Sequence, residues 1–172
     1  MMQKMFLREE NKEVKKIGVM ADSHDNIEAI KKAVEVFNEE KVEIVVHAGD
    51  IVSPFTADYF KELWCDMLII YGNNDGDKIY LKERFKNIGS LYNDPYIGEL
   101  YGKKIAVTHL PSIVPALAEK FDIVIYGHTH EKYVEKNKAL IVNPGECCGY
   151  LTGIKSIAII DIEKMTANII EI

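Results

Sequence analysis

The stretch Ile17-Gly18-Val19-Met20-Ala21-Asp22-Ser23-His24 decides how the chain is read. Residues 17–21 form a short apolar run, read as a strand, that ends abruptly in Asp22-Ser23-His24. Asp25 or Asn26 then suits the cap of a helix in which Ile27, Ile30, Val34 and Phe37 recur at spacings of three and four. Strand followed by capped helix is an α/β unit, and the pattern repeats. Residues 42–48 are β-branched and read as a buried strand. Pro54 fits the first turn of a helix reaching residue 63, and residues 67–71 give a third strand. Residues 77–91 are charged and read as a helix, and Asp94-Pro95 marks a turn. Residues 96–101 and 104–108 flank Gly102-Lys103 as a hairpin. Residues 112–121 read as a helix and 123–126 as a strand. The remainder is β-rich, over 133–135, 139–142, 156–162 and 166–171, with the last two joined around Glu163-Lys164. The fold class is therefore α/β with parallel strands first and β structure last.

At 172 residues the chain fits one domain, with residues 1–16 read as an N-terminal extension and 17–172 as the domain. Hydrophobic residues make up 48% and charged residues 28%, an ordinary globular balance. Net charge is 21 − 27 = −6, which argues against nucleic acid as a tight ligand. No apolar run reaches about 18 residues, so no membrane span is expected. The polar start of the chain lacks the apolar stretch of a secretory signal. The cysteines, Cys65, Cys147 and Cys148, are odd in number and include an adjacent pair. That is a poor disulfide framework and points to a reducing cytoplasm.

The informative pattern is positional. Five apolar runs each end in residues of metal-ligand type: Asp22-Ser23-His24, Gly49-Asp50, Gly72-Asn73-Asn74-Asp75, His109 and Gly127-His128-Thr129-His130. Ligands of open α/β sheets bind beyond the carboxyl ends of the strands. Strands sharing sheets in register would bring all five groups to one rim. Four of the five histidines fall at these strand ends. Imidazole with carboxylate suits Zn, Mn, Fe, Co or Ni, whereas an all-oxygen set suits Mg or Ca. Two carboxylates, four imidazoles and an amide oxygen suffice for two ions if one carboxylate bridges. Two divalent ions less two carboxylates and one hydroxide leave roughly +1, which attracts an anionic phosphate ester. No arginine lies near any motif, Arg8 and Arg84 being the only two.

Each motif also has an ordinary reading. Asn73-Asn74-Asp75-Gly76 is good turn chemistry by itself, and Asp75 can hold that loop by hydrogen bonding. His109 alone could be satisfied by a carbonyl. His47 sits inside a strand run and reads as a core or supporting group. Asn143-Pro144-Gly145 is either an ordinary turn or a loop near the site. Cys147-Cys148 lacks partners at ligand spacing and reads as buried.

Taken together, the five motifs resemble those of the calcineurin-like metallophosphoesterases, in the same order. The short chain resembles their small phosphodiesterase branch, which also includes a retromer subunit. The resemblance implies a four-layer α/β/β/α sandwich of two packed mixed β-sheets. It implies that Asp22, His24, Asp50 and His130 hold one divalent ion, and that Asp50, Asn73, His109 and His128 hold the other, with Asp50 as the bridge. Mn and Ni are the first candidate metals, then Zn, Fe and Co. The implied activity is hydrolysis of a small phosphodiester by in-line attack of a metal-bridging hydroxide, with Asn74 and His109 as catalytic residues. Many members carry His where this chain has Asn74, and Asn cannot titrate near neutral pH. Two alternatives stand beside this reading: an interaction scaffold with a vestigial metal site, and a phosphomonoesterase. Assembly with a second copy is left open.

Overall fold

The structure, a computed structural model, describes residues 14–172; the extension read over residues 1–16 lies mostly outside the described residues. In chain order the elements are β1 (Lys16–Met20), α1 (Ile27–Glu39), β2 (Ile44–His47), α2 (Ala57–Phe60), β3 (Asp66–Ile70), α3 (Lys78–Phe85) and β4 (Gly89–Tyr92). They continue with β5 (Tyr96–Leu100), β6 (Lys103–Thr108), α4 (Val114–Ala118), β7 (Ile123–Tyr126), β8 (Lys132–Lys136), β9 (Leu140–Pro144), β10 (Ser156–Asp161) and β11 (Thr166–Glu171). One sheet has the order β11-β10-β1-β2-β3-β4, the other β5-β6-β7-β9-β8. β1, β2, β3 and β4 run parallel, as do β6, β7 and β9. Both sheets are mixed, because β10 pairs antiparallel with β1, β5 with β6, and β8 with β9.

Alternation along the strands sorts the side chains into layers. Val19, Val46, Ile70, Val107, Ile125 and Val142 meet between the two sheets. Met20, Val45 and Ile69, on the opposite faces of the same first-sheet strands, pack against Ile30 and Phe37 of α1, Phe60 of α2 and Phe85 of α3. Val124 of β7 packs against Val114 of α4 on the far side of the second sheet. Three apolar clusters between four layers make the α/β/β/α sandwich.

Several boundaries differ from the sequence reading. Lys16 belongs to β1, and Lys15 accepts a backbone hydrogen bond from Ile162 beyond β10. The helix read over residues 77–91 ends at Phe85, and a strand follows. Leu81, Phe85 and Ile88 keep helical spacing, which hid the break. At Gly89 a Cβ would lie 2.2 Å from the Met67 carbonyl oxygen, so the close pairing of β4 with β3 requires glycine there. The segment from Pro54 is a 3-10 turn followed by the short α2, ending at Phe60 and not at residue 63. Residues 112–121 shorten likewise to a 3-10 turn and α4. Of the two candidate caps before α1, Asn26 accepts from Ala29 N, while Asp25 accepts from the amide and hydroxyl of Ser53.

His47 ends β2 on the helix side, fully buried, with its ring edge-on to Phe60. Its Nδ1 accepts from Gly49 N at 3.2 Å, so Nε2 carries the proton and meets Ser23 Oγ at 2.9 Å. Burial pushes its pKa down to about 3. An unfolded histidine titrates near 6.5, so between these values the unfolded chain binds one more proton. Its contribution to stability is therefore present above about pH 6.5 and lost as pH falls toward 3, at up to about 1.4 kcal/mol per pH unit. His47→Asn should flatten the acid limb of a urea-unfolding pH series by about one proton. Phe37, fully buried beneath α1, gives a second expectation: Phe37→Ala should cost about 3–5 kcal/mol in the same assay.

Candidate metal centre

Six strand ends converge on one rim. Asp22 follows β1, Asp50 follows β2 and Asn73 follows β3 in the first sheet. His109 follows β6, His128 and His130 follow β7, and Glu146 follows β9 in the second. Backbone bonds tie the rims together. Asp22 N donates to Gly49 O within the first sheet, and Cys147 N and Cys148 N donate to Ala21 O and Asp22 O across the two sheets. Asp75 is buried and gathers the amides of Asp50, Val52 and Gly72 at 3.0, 2.7 and 2.6 Å. A Cβ at Gly72 would lie 2.1 Å from Asp50 Oδ1. Only glycine lets this loop reach the Asp50 carboxylate.

The backbone at the rim is strained. Asp22, His24, Asp50, His128 and His130 have φ of 51°, 38°, 61°, 69° and 60°. Non-glycine residues held in the left-handed region cost about 1–3 kcal/mol each, and such residues cluster at functional sites.

Asp22, Asp50 and Glu146 are buried. Among the described residues, every ion pair these three form is with a histidine. Asp22 Oδ2 accepts from His128 N at 3.0 Å, but Asp22 Oδ1 is buried with no partner, and so is His24 Nε2. These two orphaned atoms lie 3.8 Å apart, and His130 Nε2 is 3.6 Å from Asp22 Oδ1. Asp50 Oδ2 stands 3.5 Å from His24 Nε2 and 3.3 Å from His109 Nε2, so one carboxylate oxygen serves both groups. His109 Nε2 is 2.9 Å from Asn73 Oδ1. Two donors each about 2.1 Å from one ion lie roughly 3.0–3.5 Å apart, close to these spacings.

The imidazoles are oriented for such a role. His109 Nδ1 donates to Ala48 O at 2.8 Å and His130 Nδ1 to Glu146 Oε2 at 2.6 Å. In the neutral ring each then presents the Nε2 lone pair to the centre. Asp22, with Asp50 behind it, raises the pKa of His24. A field that favours a proton there favours any cation. Burial works against ionised Asp50, yet hydrogen bonds from His109 and from the backbone and side chain of Asn74 hold its carboxyl well below the ordinary range. Burial likewise opposes a charge on His109, but Asp50 and the Ala48 carbonyl raise its pKa. Buried anions with no lysine or arginine partner among the described residues, orphaned donors and imidazole lone pairs fit a divalent cation of the borderline class.

The residues singled out by the sequence do not all play alike. Asp22, His24 and His130 form one close donor group, and Asp22, Asp50 and His109 another. Asn73 joins through His109. The His128 ring stands edge-on to His109 at 5.1 Å and belongs to neither of these two groups. Asn74 is drawn onto Asp50, giving its amide N at 2.8 Å and Nδ2 at 2.7 Å. Asp75 holds its loop by hydrogen bonds, as its turn chemistry suggested. Asn143 braces the β7 loop through Gly127 O and Thr129 Oγ1. Sequence reasoning missed Glu146. It follows a strand and a glycine just as Asp50 does, and that repeated pattern was the available signal.

The described residues 16–165 match the model of the calcineurin-like phosphoesterase superfamily domain. A protein of Methanocaldococcus jannaschii named phosphodiesterase MJ0936 is 45% identical over 156 residues, covering 87% of this chain and 94% of its own. The solved structure of an archaeal phosphodiesterase superposes with a TM-score of 0.86 at 43% identity, covering 91% of this chain and 99% of that one. A Vps29 mutant from Entamoeba histolytica superposes at 0.65 with 16% identity, over 91% of this chain and 99% of that one, which shows a shared fold. The chain belongs to the calcineurin-like phosphoesterase superfamily.

Proposed function

We propose that the chain is a two-metal phosphodiesterase acting on small phosphodiesters. Asp22, His24, Asp50 and His130 would hold one ion, and Asp50, Asn73, His109 and His128 the other. The observation that carries this reading is a pair of buried atoms, Asp22 Oδ1 and His24 Nε2, that find no hydrogen-bond partner among the described residues and sit among carboxylates that no described lysine or arginine pairs. The phosphodiesterase named above, at 45% identity, supports the substrate class. When bound, a pair of divalent ions supplies a nucleophile at neutral pH and a clamp on the phosphoryl oxygens.

The chain's own residues set the conditions. Ala48 O and Glu146 keep the protons of His109 and His130 on Nδ1, away from the centre. Asn74 steadies the shared Asp50 carboxylate and has no titrating proton for a leaving group. Arg84 pairs with Asp58 at 2.7 Å, on the α2–α3 side of the first sheet. Among the described residues no arginine fork is thus available for a dianionic monoester, which favours diesters over the monoesterase reading. Two close groups of carboxylate and imidazole donors, Asp22-His24-His130 and Asp22-Asp50-His109, favour the enzyme over a scaffold with a vestigial site. The three free thiols suit a reducing cytoplasm. Among the described residues no helix is long and apolar enough to cross a membrane.

The purified protein should hydrolyse bis(p-nitrophenyl) phosphate with Mn or Ni, with Zn, Fe and Co also tested, and should lose that activity to a chelator. No hydrolysis with any of these metals would favour the scaffold. Asp50→Ala should abolish turnover and the binding of two ions together; a variant that still binds two ions would contradict the bridge. General acid catalysis is typically worth about 10²–10⁴-fold, so without it alkyl leaving groups should react far more slowly than aryl ones. A flat dependence of rate on leaving-group pKa would show that another residue supplies the proton.

A further inference from the structure

We infer that Glu146 is a positioning residue for His130, fixing its ring so that Nε2 faces the metal centre. The inference rests on the metal-centre reading above. Glu146 is fully buried. Its Oε2 accepts from His130 Nδ1 at 2.6 Å and from Cys148 Sγ at 3.3 Å. Its Oε1 accepts from Thr152 N at 2.6 Å, Thr152 Oγ1 at 2.7 Å and Leu151 N at 3.0 Å.

A carboxylate offers about four lone-pair sites, and five donors fill them. Glu146 therefore has no capacity left to bind an ion, although its carboxylate lies near His130 and Cys148 in a possible donor group. It acts through the imidazole. His130 needs such a partner, since it sits on a loop at φ 60°, stacks on the His24 ring 5.3 Å away and brings its Nε2 no nearer than 3.6 Å to Asp22 Oδ1. The two sites differ in this respect. His109 donates its Nδ1 proton to a neutral carbonyl, His130 to an anion. A carboxylate behind the ring makes Nε2 the stronger donor. The turn at Leu151 and Thr152 fixes the carboxylate, so the loop after β9 sets the geometry of a ligand after β7.

Glutamine at this position can accept on one side only. With its oxygen toward Thr152, its amide N faces the His130 Nδ1 proton, and the ring must move that proton to Nε2 or turn. With its oxygen toward His130, its amide N faces the Leu151 and Thr152 amides and displaces the turn.

The test compares wild type with Glu146→Gln by calorimetric titration with Mn²⁺, by imidazole ¹H–¹⁵N NMR of the metal-free proteins and by thermal melting. The wild type should bind two ions and carry the His130 proton on Nδ1. The variant should melt cooperatively, lose about 10–100-fold in affinity at one site and keep the other nearly unchanged. Its His130 proton should leave Nδ1 or its signal should broaden. Unchanged tautomer and affinities equal within about twofold would overturn the inference. A wild type that binds no metal would sink the metal-centre reading, with the tautomer still deciding the role of Glu146. Should the variant fail to fold, a wild-type His130 proton found on Nε2 overturns the inference, and one on Nδ1 supports it.

Discussion

Buried negative charge that no lysine or arginine pairs, among the described residues, is the constraint on which the rim depends. Asp22, Asp50 and Glu146 are out of water, and their ionic partners are histidines. Burying an unpaired carboxylate costs several kcal/mol, so the fold must fill its lone pairs or supply a cation. Glu146 is filled by donors from its own loop. Asp50 is held by Asn74 and His109. Asp22 is left with one oxygen open, and that opening faces the imidazoles. The strained backbone at Asp22, Asp50 and His130 is consistent with geometry imposed by the centre.

Much of this was legible in the chain. Apolar runs ending in Asp, His or Asn are a local signal, and alternation within each run marks which residues reach the space between sheets. Val19 and Met20 are neighbours in sequence yet lie in different clusters. Residues 86–91 read as helix because Ile88 continues the helical spacing of Leu81 and Phe85, while the strand that overrides it is set by pairing with β3. That pairing is tertiary, and propensity yields to it. Glu146 escaped because its role depends on His130, sixteen residues away, through a contact that only the parallel pairing of β7 with β9 creates.

Asn74 has contacts that the chain alone did not reveal. The family resemblance implied a catalytic residue there. In the structure both of its N–H donors meet Asp50. The backbone bond would survive a histidine at this position; what the amide lacks is a proton that titrates near neutral pH.

The pairing of β1 with β10 joins the start of the described chain to its far end, Lys16 lying opposite Asp161. A nascent polypeptide emerging from the ribosome would have β2 available to one side of β1 long before the last hairpin arrives. Until residues 156–171 emerge, the other side of β1 stays open as a bare sheet edge prone to wrong partners. Closure of the first sheet thus waits on residues 156–171, and chains cut short before them would be expected to aggregate before they become partly functional.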